Sequence, residues 1–141
     1  NRDGRGNMEE IVLKFFAYFE NRDDFRHSVK EFLNNYMGSK TKAFNNKKFL
    51  SELYDKTMRV LSDALPDGVV RSERKNTTPL LLFEAVSVGV ADVISSGGQI
   101  NADALRAVLD NQELKKATSG GTNSNPKLLQ RIEIVRKAVA E

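Results

Sequence analysis

The chain has 141 residues, 40% hydrophobic and 29% charged, with 22 Lys and Arg against 19 Asp and Glu for a net charge of +3. That is the length of one domain with enough apolar residues for a real core, which excludes disordered and fibrous classes. The lack of cysteine excludes disulfides and thiolate chemistry and fits a reducing cytoplasm, while the mild positive charge permits a nucleic-acid partner without arguing for one.

Residues 1–7 are polar and glycine-containing, begin without Met, and read as a linker, so the chain reads as part of a longer protein. Residues 8–141 read as a single helical domain. The first helix is expected over 8–20, with Ile11, Phe15 and Phe19 on one face and Val12 and Phe16 beside them. Asp23 and Asp24 supply caps for a second helix over 23–37, whose Phe25, Val29, Phe32, Leu33 and Tyr36 keep helical spacing. Gly38 is placed to end it, and residues 39–42 to connect. Asn45 or Asn46 opens a third helix, which lasts until Pro66.

Residues 69–77 are irregular and put Arg71, Arg74 and Lys75 within five positions. The most apolar run follows, a helix over 79–95 with Thr78 as cap and Pro79 in its first position. Its polar residues, Glu84, Ser87, Asp92 and Ser95, fall in one narrow strip at the ~100° per residue of a helix, which places it at the centre of a bundle. It is too short and too charged to span a bilayer, which needs ~20 mostly apolar residues, so no membrane partner is expected. Asn101 caps a short helix to Leu109, and Asp110 with Glu113 matches a capping box for a further turn or two to Ala117. A polar loop over 118–125 leads to a last helix, with Asn125 as cap, Pro126 in the first position and Leu128, Ile132, Val135 and Val139 as its stripe. Lys127, Arg131, Arg136 and Lys137 are assigned to its solvent side. The fold class is all-α, an irregular bundle of six to seven helices around the helix at 79–95.

Chemistry-bearing patterns are few. One histidine, His27, and no cysteine cannot make a usual zinc site, and no metal or cofactor is expected. Standard phosphate loops and nucleophile elbows are absent. Glu84, flanked by Phe83 and Ala85, is either a perturbed catalytic acid or a structural pin; the pin is favoured, paired with Arg71 or Arg74 from the loop before it. Arg71, Arg74 and Lys75 are candidates for phosphate contact, as are Lys127 and Arg131 after the 119–125 loop, where a helix N-terminus attracts anions. Capped surface turns and solvated charges explain the same residues. The phenylalanines at 15, 16, 19, 25 and 32 with Tyr36 read as core.

Three parts of the chain resemble the GmrSD-like restriction family. They are residues 9–17 (Glu-Glu-Ile-Val-Leu-Lys-Phe-Phe-Ala) with 29–37 (Val-Lys-Glu-Phe-Leu-Asn-Asn-Tyr-Met), residues 82–88 (Leu-Phe-Glu-Ala-Val-Ser-Val), and residues 120–124 (Gly-Gly-Thr-Asn-Ser) through Arg131 and Ile132. Members of that family join a ParB- and sulfiredoxin-like N-terminal part, with an Asp-Gly-Gln-Gln-Arg type motif for nucleotide handling, to a helical part. Many add a His-Asn-His-type nuclease domain and act against modified foreign DNA. The chain matches the helical part alone, so the resemblance assigns it no catalytic residue. What it implies is a helical support for an N-terminal ParB-like domain in cis; a DNA contact would run through the cations read from the residues themselves, Arg71, Arg74, Lys75, Lys127 and Arg131. Two other readings are a stand-alone protein-interaction module, and a nucleotide or phosphodiester hydrolase using Glu84.

Overall fold

The computed structural model describes residues 5–43, 46–119 and 124–141. Among these there are seven α-helices and no strand: α1 (Arg5–Asn21), a 3-10 turn (Arg22–Asp24), α2 (Val29–Ala43), α3 (Lys47–Ala64), α4 (Leu80–Ser95), α5 (Ala102–Val108), α6 (Gln112–Ala117) and α7 (Asn125–Val139). The expected all-α bundle is therefore the fold.

α4 is the hub, packing against α1, α3 and α7. Ten of its residues are buried, as a helix apolar over most of its circumference requires. Its C-terminus is a Schellman turn: Gly97 takes φ +85, the Gly98 N–H donates to the Val93 carbonyl and the Gly97 N–H to that of Ile94. Leu82, Val86 and Val90 join one apolar cluster with α3, α5, α6 and α7, while Val88 and Ala91 join a second, aromatic cluster with α1 and α2. The second holds Phe15, Tyr18, Phe25, Phe32 and Tyr36 as core, and the Phe25 ring stands edge-on to Phe32 at 5.5 Å. Phe16 and Phe19 are only half-buried.

Several boundaries differ from expectation. α1 begins at Arg5, inside the stretch read as linker. Asp23 and Asp24 sit in the 3-10 turn, and α2 starts at Val29, where the Glu31 N–H donates to Ser28 Oγ. Ser28 and Glu31 form the Ser-x-x-Glu capping pattern of this start, a signal carried by the sequence itself. α2 runs through Gly38 to Ala43 rather than stopping there. The extra turn is secured by Lys40, whose Nζ reaches Glu20 on α1 at 2.8 Å. Asn46 stands at the cap of α3 and Asn101 caps α5 as expected, but three others slip by one residue: Pro79 takes the cap position of α4, Asn111 caps α6 in place of Asp110, and Ser124 stands before α7 in place of Asn125. Asp110 and Asn125 have other partners. The Asn125 amide donates to the Arg22 and Phe25 carbonyls at 3.2 and 2.7 Å, tying the start of α7 to the 3-10 turn.

No helix among the described residues is long and apolar enough to cross a membrane.

Candidate functional site

Two groups of charged residues are candidates, one buried and one exposed. The buried one is built on the polar strip of α4, which faces α1. Lys14 Nζ lies 3.2 Å from Glu84 Oε2, and the Arg22 guanidinium grips the Asp92 carboxylate with both Nη atoms. Lys14 and Arg22 are two turns apart, as are Glu84 and Asp92, so the charges set α1 and α4 running in the same direction. Arg22 also donates to the Tyr18 and Phe19 carbonyls, closing the C-terminus of α1.

The partner expected for Glu84 is thus corrected. It is Lys14, not Arg71 or Arg74. The carboxylate sits inside the bundle, 5% exposed, beside Lys14 at 8%, and the 69–77 loop turns away toward α6. Arg131 is corrected too. It is 0% exposed, not on the solvent side of α7, and none of its three nitrogens has a hydrogen-bond partner. A buried arginine without acceptors is uncommon and costly. Arg131 acts on Glu84 and Tyr18 through charge alone.

Burial pushes the Glu84 carboxyl above the ordinary carboxylate range, against the pull of Lys14 and Arg131. Burial raises Asp92 likewise, opposed by Arg22. It pulls the Arg131 guanidinium down and, with the charge of Glu84, holds the Tyr18 hydroxyl protonated. A carboxylate of raised pKa is what an acid catalyst needs, yet such a shift also marks a structural pair. Sealed between helices, Glu84 fixes the register of α1 on α4 and is out of reach of a substrate.

The exposed group is the turn at 71–75. Arg71 and Arg74 form an isolated antiparallel bridge, with the Arg74 N–H donating to the Arg71 carbonyl. The turn is fastened to α6 and its cap. Arg71 Nη2 donates to Thr118 Oγ1 at 2.9 Å, the Ser72 N–H and hydroxyl both donate to Asp110, and Lys115 pairs with Glu73 at 2.8 Å. The hydrogen bonds from the Ser72 hydroxyl and N–H, in that order, hold the Asp110 carboxyl below its usual range. Arg71 is therefore half-buried and committed, whereas Arg74 and Lys75 are exposed at the tip. Lys75 lies 3.6 Å from Asp67 and, with Arg106, Asp67 and Asp110, lines a cleft of about 200 Å³. The cations of this face are interleaved with acids rather than gathered in one basic patch.

Lys127 is half-buried in the first turn of α7. Most of the loop proposed to shape an anion site with it, residues 120–123, lies outside the described residues, as does that part of the family-like segment. His27 is exposed. No three acidic or histidine side chains gather to hold a metal ion among the described residues.

A third charged centre had no counterpart in the sequence reading. Glu20, near the end of α1, accepts from Tyr36 Oη at 2.7 Å, from Lys40 and from the Asn46 amide. Burial alone would raise its carboxyl, but these donors outweigh it and hold it below the usual range. It joins α1 and α2 to the cap position of α3. No family model, curated protein or solved structure matches the chain.

Proposed function

We propose that the chain is the helical, non-catalytic part of a cytoplasmic, GmrSD-like prokaryotic defence protein, supporting an N-terminal ParB-like nucleotide-handling domain in cis and touching DNA through the tip of the 71–75 turn. The family part of this reading rests on the segment resemblance. The observation that supports the contact is the fastening of the turn: Ser72, Glu73 and Arg71 are bonded to α6 and its cap, while Arg74 and Lys75 are exposed. A turn fastened in this way loses little backbone entropy on meeting a phosphate, and Lys75 would exchange Asp67, 3.6 Å away, for it. Arg131 is withdrawn from the contact set because it is buried. Lys127 stays in it, as a residue of the first turn of α7.

The test is fluorescence anisotropy on a labelled DNA duplex across a salt series. Affinity should fall with log salt at ~0.9 per phosphate neutralised, and Arg74→Ala with Lys75→Ala should flatten that slope by about two contacts. An Asp-Gly-Gln-Gln-Arg type motif encoded upstream of Asn1 would support the in-cis domain, and a reading frame without one would remove it.

A second reading, a protein-interaction module, is favoured by a different observation. The outward face of α1 is apolar, with Met8 56% exposed and Val12, Leu13 and Phe16 half-exposed. No DNA binding at low salt would leave this reading standing.

A further inference from the structure

α1 directs Lys14, Phe15, Ala17 and Tyr18 into the bundle. At ~100° per residue its opposite side is centred on Phe16, with Val12, Leu13 and Phe19 around it and Met8 at the leading end. An amphipathic surface helix should be polar there. Instead Met8, Val12, Leu13 and Phe16, with Glu9, line a shallow hollow of about 400 Å³. The strip continues across the helix boundary: the Phe19 ring is 6.4 Å from that of Phe49, the 49% exposed residue in the first turn of α3, and Phe16 stands edge-on to Tyr54 at 6.3 Å. At ~1.5 Å per residue the run from Met8 to Phe19 is about 16 Å long.

Its two ends carry opposite charge. Exposed Glu9 and Glu10 flank the Met8 end. Exposed Lys47 and Lys48 flank the Phe49 end, with Glu52 a turn further along α3. Glu9, Lys47 and Lys48 make no ion pair among the described residues. A strip that is acidic at one end, basic at the other and apolar between is complementary to itself under a two-fold rotation. Two α1 helices laid antiparallel about Leu13 and Phe16 would set Glu9 of each copy against Lys47 and Lys48 of the other. Isologous interfaces have this form, in which each residue type meets its complement twice.

We propose that this face binds a second copy of the chain, forming a two-fold dimer through antiparallel α1 helices. The inference is independent of the DNA reading, which uses a different group of residues at 71–75. A strip this narrow is smaller than a standard interface of ~800 Å² per partner, so the dimer is a concentration-dependent one.

Sedimentation equilibrium on the full chain across micromolar to millimolar concentration tests it. The expected result is a reversible monomer–dimer equilibrium that Glu9→Lys alone, and Lys47→Glu with Lys48→Glu, each weaken about tenfold or more. All three residues are exposed, so the variants keep their fold, which far-ultraviolet circular dichroism checks. Combining the three exchanges in one chain restores opposite ends and should restore the dimer. A chain that stays monomeric throughout the range would overturn the proposal and leave the face to another part of the protein. So would a dimer indifferent to these charges, or a triple exchange that fails to recover.

Discussion

Glu84 shows how a buried pair and its pH dependence follow from one environment. Its proton is held more tightly in the folded state than in the unfolded chain, because burial raises its carboxyl. The contribution to stability is therefore full below the ordinary carboxylate value of ~4.3 and declines as pH climbs through the raised folded value. Glu84→Gln removes that decline. Its urea midpoint should match the parent's at pH 4 and exceed it at pH 8; equal differences at the two pH values would show that Glu84 titrates as it does unfolded. Lys14 is the other half of the pair. Lys14→Met strips a sealed carboxylate of its nearest cation and should lose about 3 kcal/mol in urea unfolding at pH 7. The double variant Lys14→Met with Glu84→Gln should regain most of it, since exchanging a whole buried pair for neutral groups is often harmless. A single Lys14→Met that costs only a few tenths would mean the pair is not sealed. Arg131 has three nitrogens without partners. Arg131→Met keeps the volume and removes about 1–3 kcal/mol of unmet desolvation, so its thermal midpoint should rise. A fall would reveal an acceptor that only the folded protein in water supplies.

At the scale of elements, the crossing of α4 on α7 depends on Gly89. A Cβ there would lie 2.7 Å from Val135 Cγ1 and 3.2 Å from the Arg136 backbone nitrogen. The backbone nitrogen cannot move aside cheaply, so Gly89→Ala should overpack the crossing and cost about 1–3 kcal/mol by urea unfolding, despite alanine's better helix propensity. Gly38→Ala makes the matched control. A Cβ at Gly38 meets nothing, and the position lies inside α2, so the same exchange should stabilise by about 0.5–1 kcal/mol. Equal effects at the two glycines would mean that the close approach is absent. Gly38 also shows where local signals end. A glycine before a polar stretch reads as a stop, but what continues α2 is Lys40 reaching Glu20, a contact between residues one helix apart. Gly97 and Gly98, by contrast, were legible as the end of α4, because the Schellman turn is purely local. Two of the one-residue slips share the first cause: Asp110 is drawn off by Ser72 and Asn125 by the 3-10 turn, so that Asn111 accepts from the Leu114 N–H while Ser124 makes no side-chain cap bond.

Across the whole molecule, hydrophobic periodicity alone carried the all-α class and the centrality of α4. The partners within the candidate site were not legible in the same way. Periodicity places Glu84 and Asp92 on one strip but says nothing of which cations face it, and Arg131 sits in a run of basic residues that read as solvated. Its neighbours Leu128 and Ile132 are buried. A charge one turn from Leu128 and one residue from Ile132 was the available warning. The same helix, α4, contributes to both apolar clusters, Leu82, Val86 and Val90 to one and Val88 and Ala91 to the other. Neither cluster can lose its packing without exposing a face of α4, so the two should melt as one unit. Leu105→Ala weakens the first cluster and Leu128→Ala the second; both residues are fully buried, and each exchange should cost about 2–5 kcal/mol. Circular dichroism at 222 nm and tyrosine fluorescence should then give coincident single transitions in urea for both variants, with the parent's slope and lower midpoints. Tyr18, Tyr36 and Tyr54 all belong to or pack against the second cluster, so fluorescence reports on that half while ellipticity reports on every helix. If Leu128→Ala shifts the fluorescence transition ahead of the ellipticity, the halves unfold separately and α4 does not bind them into one cooperative unit.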